Sequence, residues 1–525
     1  MNRYSMQRAK YRYKVQRQGK KSGSGFWVII LVVLLLLLGQ AIVERATVSD
    51  TLPANKLDKT YSPRQLQKDF DFLLATLEEV HPALYAIASS EEIADERERV
   101  ATQLDTQMTR LEFYRLAAPI VSRFGDGHTQ ALLPKAEIED YIAQGALLFP
   151  LDLTFNEEGV FVKENYTQDS LVASGTQVLG INGIPIDQIE NHLLEYVSGE
   201  RISWRQKRLT DLFRWQLYIN FGIESPYEVT VLRTTQRGST PLSRTFLGLT
   251  GEELEAKRAS MTDEPPSTKP WLYHPVEDRY VHNVGLIDFN SFSDLKGFEA
   301  FLDTTFRTIR EQGIEDLIID LRGNGGGNSE LGDRLIEYLY DKPYRQISRM
   351  DVKVSPQIKR YFASWLPWYL RFYPPLSNEW MKRIWETPEG EIASFDSPPH
   401  QPGEMPFRFE GGVYVLIDVG TFSSATMFAA TVKDYSIGTL IGEETGGLAT
   451  SFGELYRFQL PVTKLGFTSS CKRFIRPNGE EDEHGVLPDI TPDPANFRRP
   501  VEDMDITTTL LQIRDDRRTR AEQEE

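Results

Sequence analysis

The chain has 525 residues, 40% of them hydrophobic and 26% charged, an ordinary globular balance long enough for several domains. Residues 1–25 carry eight Lys/Arg and no acid, so against a formal net charge of −17 the remainder carries −25. An acidic body of this kind argues against nucleic acid as a partner, because phosphate contacts need clustered cations.

In chain order, the basic leader 1–25 is followed by Phe26 to Val43, apolar except for Gln40 and long enough for a membrane-spanning helix. Basic residues before an apolar span keep the leader in the cytoplasm and direct the body of the chain to the opposite side. The leader is long for a cleaved signal peptide and no clean cleavage site comes after the apolar run, so the expectation is an uncleaved single-pass anchor with the body on the periplasmic or extracellular side. Cys471 is the only cysteine, so no intrachain disulfide is available to that exported body. Residues 44–61 read as a polar tether.

The segment 62–140 has helical apolar spacing (Phe70, Leu73, Leu74 and Leu77; then Leu111, Tyr114, Leu116, Ile120 and Val121) and reads as a small helical bundle. Ser62-Pro63 starts its first helix and Pro82 marks the break after it. The bundle ends in RFGDGHT, residues 123–129. Residues 145–250 turn to strand character, and 175–194 reads as strand, Asn182-Gly183 turn and helix, a small α/β domain. Residues 251–280, charged and holding Pro265-Pro266, read as a linker.

The segment 281–500 reads as an α/β core. Val284 to Phe289 is a strand and Leu295 to Arg310 a helix. Leu317, Ile318, Ile319 and Leu321 form a second strand that runs into the glycine-rich loop 323–327. Val413 to Ile417 is a buried strand broken at Asp418–Thr421, and a helix starts at Phe422–Ala425. A third strand and Gly446-Gly447 come next. Strand, loop, helix and strand in this order gather loops at the carboxyl ends of a parallel sheet. A serine in such a turn faces unpaired N–H groups and the helix dipole, which suits a nucleophile; it also suits an ordinary helix cap. The loop 323–327 has no P-loop lysine and breaks the dinucleotide pattern, so its bare N–H groups fit an oxyanion better than a nucleotide. Residues 343–406 interrupt the core with an aromatic insert (Trp365, Trp368, Tyr369, Phe372, Tyr373, Trp380 and Trp385), either a lid, substrate wall or membrane-facing patch, or a helical hairpin packed on the core. Residues 501–525 form a charged terminal helix or tail. One cysteine, no H-E-x-x-H and no EF-hand loop leave no metal site and no cofactor expected.

DLRGNGGG at 320–327, GTFSSATMFA at 420–429, GEETGG at 442–447 and GVLPD at 485–489, in that order, resemble the core of the C-terminal-processing (tail-specific) serine peptidases. Where Ser-Lys members of that family carry a lysine, this chain has Leu448, so it is more similar to the tricorn-core branch, in which a histidine from an earlier domain is the base. To the transmembrane helix and helical domain read above, the resemblance adds a PDZ-like domain at 145–250 and the peptidase core, together a multidomain α+β fold. It implies a serine endopeptidase acting on a peptide or protein substrate through an acyl-enzyme, with Ser423 as nucleophile. His128, in a D-G-H-T segment after a helical region, matches the base, with His484 as the runner-up. Asp482 is the first choice to orient it, then Glu483, with Glu481 beside them. The N–H groups of Ser424 and of Gly325 or Gly326 form the oxyanion hole, and Gly446 and Gly447 are substrate-binding. The alternative is an inactive module on the same scaffold that binds peptides or hydrophobic ligands, which Thr426, a glutamate in many relatives, would suit. Oligomeric state is not legible.

Overall fold

The computed structural model describes residues 57–524, except 236–237, 262–268 and 494–502. The leader, the expected membrane anchor at 26–43 and most of the tether lie outside the described residues; among those described, no helix is long and apolar enough to cross a membrane.

The amino-terminal helices start where local chemistry dictates. Ser62, Ser89 and Thr109 each form a capping box, with Gln65, Glu92 and Glu112, at the heads of the helices Pro63–Val80, Ser90–Gln103 and Arg110–Arg123. Leu66, Phe70, Leu73, Leu74 and Leu77 bury one stripe of the first helix. That stripe does not close on helices alone. Its core includes Phe458, Leu460, Leu465 and Phe467 from a distant β-hairpin. Asp69, fully buried, accepts hydrogen bonds from the N–H groups of Val462 and Thr463 and from the Thr463 hydroxyl. The helical region is therefore one half of a layer shared with a sheet.

In the middle region, Val178–Ile181 pairs with Tyr227–Thr235, which pairs with Gly238–Phe246. Asn182 and Gly183 both take positive φ, 48° and 77°, as a two-residue hairpin turn requires. The helices Ile186–Leu194 and Ile202–Phe221 come next, the second running 20 residues.

Residues 251–280 are not linker throughout. Gly251–Met261 is a helix, and Trp271–Val276 is the antiparallel edge strand of the main sheet. Its signal was masked by the prolines and charges around it. The main sheet runs Trp271–Val276, Val284–Phe289, Asp316–Asp320, Gly412–Ile417, Thr439–Gly442, with every pairing after the first parallel. Leu317, Ile318, Ile319, Val415, Leu416 and Ile417 are fully buried, as expected of parallel strands covered on both faces. Each such side chain contributes about 1.5–3 kcal/mol of transfer free energy.

The aromatic insert is likewise integrated. Its strands Arg349–Lys353 and Ile392–Asp396 join Gly466–Ile475 and Ser451–Gln459 in a second sheet. Ile358, Phe362, Met381 and Ile384 pack beneath it, while Tyr369, Phe372 and Tyr373 stay exposed. Gln130–Ala131 pairs with an inner strand of this sheet, Gly466–Ile475, at Phe467 and Thr468. That pairing carries the end of the helical region to the core. The terminal helix Met504–Glu524 docks through Arg517 on Asp316 and through Asp503 and Asp505 on Arg322.

Candidate active site

The strand Gly412–Ile417 ends at a turn in which Asp418 Oδ1 accepts from Gly323 N–H and Gly420 N–H. The turn delivers Ser423 to the head of the helix Ser424–Asp434 at φ 56°, ψ −124°. A non-glycine residue at positive φ is costly, and a strained serine at a strand-to-helix turn is the geometry that projects a nucleophile clear of its own backbone. The glycine loop reaches it from the neighbouring strand. Asn324 holds this loop, donating to Phe289 O, accepting from Gly326 N–H with Oδ1 and from Phe422 N–H with its carbonyl. A Cβ on Gly326 would lie 2.7 Å from Phe422 O and from Ser424 N, so only glycine allows this approach.

Ser423 Oγ lies 3.1 Å from His128 Nε2, across 295 residues of sequence. The histidine loop is fixed by the second sheet: Thr468 Oγ1 donates to His128 O, Ser470 N–H donates to Thr129 Oγ1, and Gln130 pairs with Thr468. Beneath it Asp126 is buried and heavily bonded. Its Oδ1 accepts from His128 N–H, and its Oδ2 accepts from Ser470 Oγ, Thr129 Oγ1 and His81. Ala83 N–H donates to His81 Nδ1, which assigns the His81 proton to Nε2, facing Asp126. Burial alone would raise the Asp126 carboxyl; the imidazoles of His128 and His81 that face it outweigh burial and hold it well below the usual carboxylate range. Its Oδ1 stands 3.8 Å from His128 Nδ1, beyond hydrogen-bond length, and that nitrogen has no hydrogen-bond partner among the described residues.

A second carboxyl approaches the same loop. Glu200 Oε2 is buried without a partner near Gly127, and burial, then the charge of Asp126, pushes Glu200 up to about 8. The cleft in front of Ser423 encloses about 660 Å³ and has Met427, Phe452, Leu455 and Phe474 as apolar lining, with Arg208 and Glu454 as charged groups.

The structure thus brings Ser423, Ser424, Gly325, Gly326 and His128 to one cleft. Of the two loop glycines, Gly326 already donates its N–H to Asn324 Oδ1. The other carboxylate expectations need correction. Asp482 does not reach His128: its Oδ2 is held at 2.6 Å by Arg476, which also pairs with Asp434. Glu481 is held between Arg349 and Arg473, and Glu483 is exposed on the same loop. Clustered arginines hold Asp482 and Glu481 away from any imidazole. His484 is exposed, and its carbonyl accepts from Ala449 N–H. Gly446 and Gly447 are buried behind the nucleophile turn, their N–H groups directed at Thr421 O, so they act as spacers and not as walls of the cleft. A Cβ on Gly447 would lie 2.7 Å from Thr426 Oγ1. His81, Glu200 and Trp204 carry no sequence motif that points to the site; Asp126 is the aspartate of the D-G-H-T segment, and that position is its one legible signal. Among the described residues, no cluster of His, Cys, Asp and Glu could hold a metal ion.

Residues 283–492 match the model of Peptidase family S41. No curated protein matches the chain significantly. Among solved structures the chain is similar to mature CPAF, at TM-score 0.55 and 15% identity, covering 82% of this chain and 92% of that one. It is also similar to mature CPAF complexed with lactacystin, at TM-score 0.57 and 13% identity over 82% of this chain and 94% of the other. At these identities the structural likeness establishes a shared fold. The family match at 283–492 is what connects it to peptidase chemistry.

Proposed function

We propose, from the premise that this chain is a serine peptidase with a peptidase family S41 domain at residues 283–492, that it is a membrane-anchored endopeptidase using Ser423 and His128. The observation that carries the reading is the 3.1 Å contact between Ser423 Oγ and His128 Nε2, made at a strained serine. The Ser423 hydroxyl attacks the carbonyl carbon of the scissile peptide and passes its proton to His128 Nε2. The carbonyl oxygen becomes an oxyanion facing the N–H groups of Ser424 and Gly325. As the intermediate collapses, the imidazolium returns the proton to the departing amine, leaving an acyl-enzyme that a water, deprotonated by the same imidazole, hydrolyses. Asp126, ionised and buried beneath the ring, stabilises the imidazolium by charge across 3.8 Å.

The apolar lining by Met427, Phe452, Leu455 and Phe474 favours an apolar side chain next to the scissile bond. The apolar run 26–43 behind a basic leader supports an anchor that holds this body outside the cytoplasm. Labelling with a serine-reactive fluorophosphonate, alongside hydrolysis of casein, tests the assignment: wild type labels and cleaves, and Ser423→Ala does neither. Equal cleavage by both proteins would overturn the assignment of Ser423, and a wild type that neither labels nor cleaves would favour a binding module.

A further inference from the structure

In a serine peptidase the base is usually oriented by a carboxylate hydrogen-bonded to its second ring nitrogen. Here the facing oxygen stands at 3.8 Å, so that bond does not set the plane of the ring. The face of the ring is held instead. The Phe422 ring stacks on the His128 imidazole at 4.8 Å between centroids and 27° between planes, and the Trp204 indole lies on Phe422 at 3.9 Å and 4°. Phe422 is itself fixed through its N–H to Asn324 O. Trp204 sits in the first turn of the helix Ile202–Phe221, in the middle region of the chain, and is 7% exposed.

The surroundings are cleared for this indole. Three glycines from three separate segments stand against it: a Cβ on Gly127 would lie 3.1 Å from Trp204 Nε1, one on Gly446 would lie 2.8 Å from Trp204 Cε3, and one on Gly199 would collide with Trp204 Cδ1. Arg201, one turn before it, clamps the same helix end to the core by pairing with Glu444 at 2.6 Å and donating to Thr445 O. Arg208, one turn after, lies over the indole at 5.8 Å.

We propose that Trp204 is a positioning residue for the reaction: acting through Phe422, it holds the His128 imidazole in the plane from which Nε2 meets Ser423. The middle region thereby supplies a part of the catalytic geometry that the peptidase core lacks. The proposal rests on the Ser423–His128 reading. An unrestrained imidazole spends time tilted away from the hydroxyl, and displacement of a reacting group by about 1 Å costs on the order of 10²-fold in rate.

Trp204→Ala and Trp204→Phe in the full chain test it, with Ser423→Ala and His128→Ala as controls and peptide hydrolysis as the readout. Trp204→Ala is expected to lower kcat by about 10- to 100-fold with KM changed by less than about threefold, and Trp204→Phe to recover most of kcat. Because Trp204 also edges the cleft, a substrate-contact role would instead raise KM and leave kcat intact; that result overturns the proposal. Should Trp204→Ala fail to fold, Phe422→Leu removes the central ring at similar volume and must show the same fall in kcat, unchanged kcat again overturning it. If the two controls retain activity, the Ser423–His128 reading falls. If they abolish it while Trp204→Ala matches wild type, only the positioning role falls.

Discussion

Two loops of this protein carry the same kind of chemistry and have opposite fates. Residues 123–131 bring an aspartate and a histidine, and so do residues 476–489. In the first, Asp126 collects two hydroxyls, an amide and the imidazole of His81, and the loop is stitched to the strand Gly466–Ile475, which leaves His128 aimed at Ser423. In the second, Asp482 and Glu481 are neutralised by Arg476, Arg349 and Arg473, and His484 faces solvent. Residue type and chain order do not separate them. What separates them is whether the partners of the carboxylate are neutral donors that leave an imidazole in place, or guanidiniums that saturate the acid.

The most direct way to break this contrast is to remove its two histidines one at a time. His128→Ala is expected to lower kcat/KM by at least about 10³-fold, whereas His484→Ala stays within about threefold of wild type. Steady-state hydrolysis of one peptide by both variants checks it, and the reverse order of effects would refute the assignment.

A smaller effect is expected at the two aspartates. Asp126→Asn should reduce kcat by about 10²-fold and destabilise the protein by about 2 kcal/mol, since buried donors lose a charged acceptor. Asp482→Asn should leave kcat within about threefold. The pH dependence of the Asp126→Asn stability loss has a definite sign. A carboxyl held low in the folded state stabilises it above the unfolded pKa of about 3.9, and loses that contribution as pH falls through the folded value. Denaturant melts should therefore show the largest gap between wild type and Asp126→Asn near neutrality, closing in strong acid.

The smallest effect sharpens the comparison from the other side of the His128 loop. Glu200, held up to about 8, binds a proton in the folded state that the unfolded chain releases above about 4.3. Its contribution to stability therefore declines as pH rises from about 4.3 to 8 and is level beyond. Glu200→Gln removes this decline, so its melting temperature relative to wild type should rise by a few degrees between pH 5 and pH 8. A gap that is constant across that interval would mean that Glu200 is ionised throughout.

The parts of the protein legible in the sequence are those whose causes lie close together in the chain. Unbroken apolar runs such as Leu317–Ile319 and Val413–Ile417 identify parallel strands because both of their faces are buried. Ser62 announces a helix start close in the chain to Gln65, the partner that satisfies it. The turn at Asp418–Ser423 comes from where a buried run stops, and the glycines at 323–327 come from the need for backbone to approach backbone. The edge strands Trp271–Val276, Arg349–Lys353 and Ile392–Asp396 were not legible, because a short strand acquires its identity from the neighbour whose hydrogen bonds it completes. The same holds for the site. That Ser423 lies in a nucleophile's position is local information; that Asp126 and not Asp482 lies beneath His128 depends on which arginines fold against which loop. The stack of Trp204, Phe422 and His128 joins three segments far apart in the chain, and no one of them carries its pattern. The sequence by itself determined the buried parallel strands, the helix start at Ser62, the glycine loop and the serine turn, because these are set by neighbouring residues. Tertiary structure decided which carboxylate lies beneath His128, the placement of Gly446 and Gly447, and the plane of the imidazole, because those depend on charge pairing and ring contact between segments that only packing brings together.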